Sequence, residues 1–144
     1  MRVTLADLYV RYHQEVQFLL IYIREAHPTD GWWLGGRLTA PLVQRFAPKA
    51  ALNVADPGTI EERRAVAAQC ETALQYGIRT YVDEMDDRVC KAYNAKPTRL
   101  FLVGVDGRVV YRGGPGPYGF KPAELETAIR RYLQALQNEN RDLT

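Results

Sequence analysis

The residues best equipped for chemistry crowd into one stretch, Ile23-Arg24-Glu25-Ala26-His27-Pro28-Thr29-Asp30-Gly31-Trp32-Trp33. His27, one of only two histidines, stands there between Glu25 and Asp30. A carboxylate beside an imidazole raises its pKa and holds one tautomer, which makes a proton donor or acceptor near neutral pH. Trp32 and Trp33 supply flat apolar surface suited to an aromatic substrate. The plainer alternative is a solvated loop histidine, with the two tryptophans closing the edge of a core.

Other reactive residues point elsewhere. Cys70 and Cys90 show no Cys-x-x-Cys spacing and no neighbouring histidine, so neither a zinc site nor a disulfide framework is expected, and a reducing cytosol is the simplest compartment. Cys70 falls on the apolar stripe of its helix. Cys90 lies beside Arg88 and Lys91, which would favour its thiolate modestly. The acidic run Asp83-Glu84-Met85-Asp86-Asp87 reads as charge at a helix N-terminus with Asp86 as the cap, ahead of a metal site. Gly113-Gly114-Pro115-Gly116-Pro117-Tyr118-Gly119 lacks the Gly-Lys-Ser/Thr ending that cradles phosphate, so it reads as a tight loop.

These residues need elements to position them. Leu5, Leu8, Tyr9 and Tyr12 recur at helical spacing behind Thr4, a suitable N-cap. Val16 to Ile23 is a nearly continuous apolar run, expected to be a strand buried on both faces inside a parallel sheet. Its carboxyl end, where the His27 stretch begins, is where open α/β sheets bind ligands. Arg24 to about Gly58 is broken by prolines and glycines and predicts a long loop, its insertion proper spanning about 34–58, with a short strand over Ala51 to Ala55. Thr59 and Glu62 form a capping-box pattern ahead of a helix carrying Ile60, Val66, Ala67, Cys70, Ala73 and Leu74 and ending at Gly77. A strand over Ile78 to Val82 and a short helix over Asp86 to Tyr93 follow. Two apolar runs joined by Asp106-Gly107 then predict a β-hairpin. Pro122 opens the last helix, with Leu125, Ile129, Tyr132, Leu133 and Leu136 as its buried stripe.

A parallel unit, an antiparallel hairpin and a closing helix make an α/β class with thioredoxin-like wiring: a three-layer α/β/α sandwich on a mixed sheet, in one domain over residues 1–144. That wiring places a central strand before the first helix, and the sequence begins at the helix. A sheet lacking that strand leaves apolar surface open to a second copy, so a homodimer is compatible. Pro97, directly before the hairpin, is in such a fold typically cis and facing the reactive centre; otherwise it is an ordinary trans proline opening a strand.

Composition narrows the field. The 144 residues are 47% hydrophobic and 25% charged, within the range of a globular domain. Nineteen basic against 17 acidic side chains leave +2, without the one-sided basic stripe that nucleic acid requires. No apolar run approaches the roughly 18–20 residues of a membrane span, and the N-terminus has no signal-peptide pattern, so no membrane partner and a cytoplasmic location are expected.

The stretch from Tyr22 to Trp32, then Val82-Asp83-Glu84-Met85-Asp86, Ala92-Tyr93-Asn94-Ala95 with Pro97, Arg99 and Leu100, and Gly113 to Pro117 with Pro122, resembles the iodothyronine deiodinase family and its bacterial deiodinase-like relatives. The resemblance runs from about Leu5 to Leu136 and is weakest between Leu34 and Ala55. It implies a thioredoxin fold and reductive removal of iodide from an aromatic ring: a selenolate or thiolate attacks iodine, a nearby acid protonates the ring carbon, and an external thiol regenerates the nucleophile. No bound cofactor or metal is implied. Glu25 and His27 would be catalytic, His27 in proton transfer and Glu25 orienting it, while Trp32 and Pro97 would shape the substrate pocket. The family's nucleophile lies after the first strand, upstream of Met1, and neither Cys70 nor Cys90 matches it. An in-frame UGA read as a stop would place such a late start. A second family histidine also has no counterpart, because His13 belongs to the opening helix. The resemblance thus predicts an N-terminally truncated member, with a haloaromatic or a peroxide as substrate. The rivals are a non-catalytic binding module for an aromatic ligand and a thiol peroxidase using Cys90.

Overall fold

The computed structural model describes residues 3–24, 56–74 and 77–142. Among them run α1 (Leu5–Tyr12), β1 (Leu20–Tyr22), α2 (Ile60–Leu74), β2 (Thr80–Val82), α3 (Arg88–Tyr93), β3 (Phe101–Val103), β4 (Val109–Arg112) and α4 (Pro122–Asp142). They fall into two compact units. The expected strand over Ala51 to Ala55 lies outside the described residues.

The hairpin unit comprises Met1–Phe18, Tyr76–Ile78 and Asn94–Thr144. Its first helix starts in a capping box: the Thr4 N–H donates to the Asp7 carboxylate at 2.8 Å and the Asp7 N–H donates to Thr4 Oγ1 at 3.2 Å. This satisfies donors that a helix start otherwise leaves orphaned. β3 and β4 pair antiparallel, Leu102 opposite Tyr111 and Val103 opposite Val109, with a register shift between Leu102 and Val103. Gly107 takes φ +79, the left-handed conformation that the Asp-Gly pair predicts. α4 opens on Pro122 and turns Leu125 and Ile129 inward to meet Leu8, Leu100 and Leu102 in the core. Complete burial of side chains such as Leu8 and Ile129 contributes about 2–3 kcal/mol each. Polar contacts at the margin fix the register of this packing. The Val105 N–H donates to Tyr132 Oη at 2.8 Å, and Arg11 pairs with Glu126 at 2.6 Å.

The crossover unit comprises Leu19–Gln75 and Arg79–Tyr93. β1 and β2 pair in parallel, Leu20 with Thr80, Ile21 with Tyr81 and Tyr22 with Val82. α2 packs against β2. The predicted capping box is present: the Glu62 N–H donates to Thr59 Oγ1 and the Thr59 N–H to the Glu62 carboxylate, both at 3.2 Å.

Two expectations need correction. The run Val16 to Ile23 is not one strand buried on both faces, because it is divided between two tasks. Val16 and Phe18 pack against the hairpin unit's core, Phe18 edge-on to Tyr9 at 5.6 Å, and only Leu20–Tyr22 pair with β2. Ile21 is left 38% exposed. Asp86 is not the principal cap of the short helix either, as the site geometry below makes plain. Among the described residues no helix is long and apolar enough to cross a membrane.

Candidate active site

The crossover unit gathers its polar residues at the carboxyl end of β1. The Tyr22 carbonyl accepts the Asp83 N–H at 2.8 Å, which joins the last residue of β1 to the first residue beyond β2. Asp83 is 2% exposed. Its carboxylate accepts three backbone N–H groups, from Glu84 at 2.9 Å, Val89 at 2.9 Å and Cys90 at 2.8 Å. The last two are orphan donors of the first turn of α3, so Asp83 caps that helix from six positions upstream of Val89. The Asp86 carboxylate instead accepts the Arg88 N–H at 3.2 Å and sits in solvent, its carbonyl accepting from Lys91 Nζ, while Asp87 occupies the cap position and its carbonyl accepts the Lys91 N–H. The acidic run therefore does charge a helix start, through a different member than its adjacency to the helix indicates.

Beside Asp83 lies a guanidinium taken out of water. Arg63, on α2, is 2% exposed. Its Nη1 donates to the carbonyls of Glu84 at 2.7 Å and Asp83 at 3.3 Å. Its Nη2 lies 3.1 Å from Asp87 Oδ1, an ion pair outside hydrogen-bond angles, and its Nε has no hydrogen-bond partner among the described residues. Asp87 holds φ +56, a left-handed conformation that aspartate tolerates better than most side chains. Its other oxygen lies 3.7 Å from Arg24 Nη1. Arg24 in turn donates to Asp56 Oδ2 through Nε at 2.7 Å and through Nη2. That hydrogen bond and the charge of Asp56 hold the Arg24 guanidinium above its ordinary pKa, so it stays protonated at every accessible pH.

Of the residues predicted to act, Glu25, His27 and Trp32 lie outside the described residues. Pro97 is described, in the hairpin unit: it is half-buried, its bond to Lys96 is cis as the wiring led one to expect, and the next carbonyl, of Thr98, accepts the Gly116 N–H at 2.8 Å. The glycine-rich segment is the tight loop predicted, Gly113 N–H donating to Leu100 O at 2.8 Å and Gly119 N–H to Pro115 O at 2.9 Å. Cys90 is 5% exposed with its thiol inside the fold, and Cys70 is half-buried on α2. Among the described residues no three His, Cys, Asp or Glu side chains are grouped to hold a metal ion.

Sequence reasoning missed Arg63, Asp83 as the cap, and the Arg24–Asp56 pair. Arg63 had a signal: it lies three residues after Ile60 and three before Val66, on the stripe that otherwise carries apolar side chains.

Comparison with known proteins identifies the setting. Residues 4–133 match the family model described as iodothyronine deiodinase. Curated relatives named thyroxine 5-deiodinase include one from Sparus aurata, 35% identical over 128 residues, covering 89% of this chain and 42% of the relative. Another, from Aquarana catesbeiana, is 36% identical over 115 residues, covering 80% of this chain and 37% of its own length. A third, from Sus scrofa, is 32% identical over 134 residues, covering 90% and 37%. The chain thus spans about two fifths of the length of these relatives. With nearly the whole chain inside the matched residues, it belongs to the iodothyronine deiodinase family.

Proposed function

We propose that this chain recognises an iodinated aromatic of the thyroxine type and provides the proton-transfer side of its reductive deiodination. The observation that carries this reading is the family match over residues 4–133, which contains the whole Glu25 to Trp32 run. In the reaction a selenolate or thiolate takes iodine from the ring, forming a selenenyl or sulfenyl iodide, and the ring carbon accepts a proton. His27 delivers that proton, Glu25 orients its imidazole, and Trp32 contacts the ring, while Pro97 keeps the substrate-binding role that the family resemblance implies. Two equivalents of an external thiol then reduce the nucleophile–iodine bond, releasing iodide and a disulfide. The nucleophile is neither of the chain's cysteines, and the burial of Cys90 supports this. A thioredoxin-like wiring is supported by the parallel β1–α2–β2 crossover, the antiparallel β3–β4 hairpin and the closing α4.

The test is iodide release from thyroxine with dithiothreitol, alongside thyroxine quenching of tryptophan emission. With a small selenol supplied as the external nucleophile, turnover that survives Cys70→Ser with Cys90→Ser and falls about a hundredfold in His27→Ala supports the reading. Binding without iodide release, weakened by Trp32→Ala, favours the binding-module reading. A protein that neither binds nor deiodinates thyroxine ends both.

A further inference from the structure

Four charges alternate in a chain of successive ion pairs in the crossover unit: Arg63 on α2, Asp87 before α3, Arg24 after β1 and Asp56 before α2. Two of them occupy telling places in the chain. Arg24 is the residue before segment 25–55 and Asp56 the residue after it. We propose that these four side chains form an ionic clasp that ties both ends of segment 25–55 to α2 and to the β2–α3 turn, with Arg24 and Asp56 as positioning residues for that segment.

The clasp is anchored at one end and open at the other. Arg63 is 2% exposed and is held by the Asp83 and Glu84 carbonyls, so it is a fixed point. Asp87 lies within ion-pair distance of both guanidinium groups while its backbone holds the left-handed region at φ +56. Such a conformation in a residue other than glycine persists where its surroundings over-determine it. The Arg24 side chain is 42% exposed. An ion pair so open to solvent contributes at most about 1 kcal/mol to stability. What two donors on one carboxylate oxygen do supply is direction, since the guanidinium fork is planar and rigid. Glu25 follows Arg24 by a single peptide unit, about 3.8 Å between Cα atoms, so fixing Arg24 constrains where Glu25 begins. The importance of this for catalysis rests on the proposed role of Glu25 and His27; the clasp itself does not.

The chain's two tryptophans, Trp32 and Trp33, both fall in segment 25–55, so tryptophan emission reads that segment alone. In the full chain, Arg24→Gln and Asp56→Asn are expected to raise acrylamide quenching about twofold while the urea midpoint, followed by circular dichroism, stays near wild type. Arg24→Lys, which keeps the charge without the fork, should fall between, and 1 M salt should move the wild type toward Arg24→Gln. Unchanged quenching in both neutral variants overturns the clasp. Quenching that rises only in step with a falling urea midpoint also overturns it, because the contacts then serve stability alone. No substrate enters this experiment, so its outcome stands apart from whether thyroxine is bound or deiodinated.

Discussion

The hairpin unit closes around Leu8, Leu100, Leu102, Leu125 and Ile129, whereas the crossover unit buries Val66, Ala67 and Cys90 together with Arg63 and Asp83. Apolar burial is non-directional and tolerates small adjustments of one side chain against another. A buried carboxylate or guanidinium instead demands specific partners, because leaving it unpaired costs several kcal/mol. The hairpin unit is therefore held by volume. The crossover unit is held by geometry, and that geometry converges at the end of β1.

The comparison breaks most severely at the apolar core. Ile129→Ala removes a side chain that is 1% exposed and is expected to cost about 4 kcal/mol. Urea denaturation would measure this, and the loss should be indifferent to salt. Asp83→Ala is the matching experiment in the crossover unit. It strands the Val89 and Cys90 N–H groups without an acceptor and is expected to cost about 3 kcal/mol. Asp83→Asn, which keeps one acceptor oxygen, should cost less. Hydrogen exchange separates the two cases: Asp83→Ala should speed exchange first at the Val89 and Cys90 amides, Ile129→Ala first along α4. If Asp83→Ala costs no more than an exposed substitution, the distinction between the two units is lost.

The same contrast explains what was legible in the sequence. The hairpin, α1 and α4 were readable because their determinants are local: Asp106-Gly107 at the turn, Thr4 at the cap, Pro122 at the start and a period-3.6 stripe from Leu125 to Leu133. In the crossover unit the capping box at Thr59 and Glu62 was equally local and equally readable. Asp83 was not, because a cap acting across a turn is decided by where the β2–α3 connection folds back. The pairing of Arg24 with Asp56 joins residues 32 positions apart, and no spacing rule reaches that far. The length of β1 was overestimated for a related reason: hydropathy records that Val16 and Phe18 are buried, but not in which core. Of the candidate residues, the Glu25 to Trp32 motif and Pro97 before β3 were named from sequence alone; the partners of Arg63, Asp83 and Arg24 became visible only in three dimensions.

A smaller effect sharpens the picture of the hairpin unit. Gly107 has open space around it, so a methyl group there meets no neighbour and the whole cost of Gly107→Ala is backbone strain at φ +79. That is expected to be about 1 kcal/mol, measured as a shift in the urea midpoint with no change in the Trp emission maximum.

The smallest effect lies at the exposed start of α1 and appears only in acid. Hydrogen bonds from the Thr4 hydroxyl and N–H hold the Asp7 carboxyl below its ordinary value of 3.8. Because the folded-state pKa is the lower one, the stabilisation is fully present above the ordinary value and is lost as pH falls through the folded one. Urea midpoints should therefore show a contribution from this cap at neutral pH that is lost as pH falls below the ordinary carboxylate range, and Thr4→Ala should flatten that part of the profile. The cap on α3 differs in kind: Asp83 lies inside the fold with three backbone donors, so the two helix starts set a solvent-facing carboxylate against a buried one. If Thr4→Ala leaves the acid limb of the profile unchanged, the exposed cap adds nothing, and the burial of Asp83 is what makes a carboxylate cap matter in this chain.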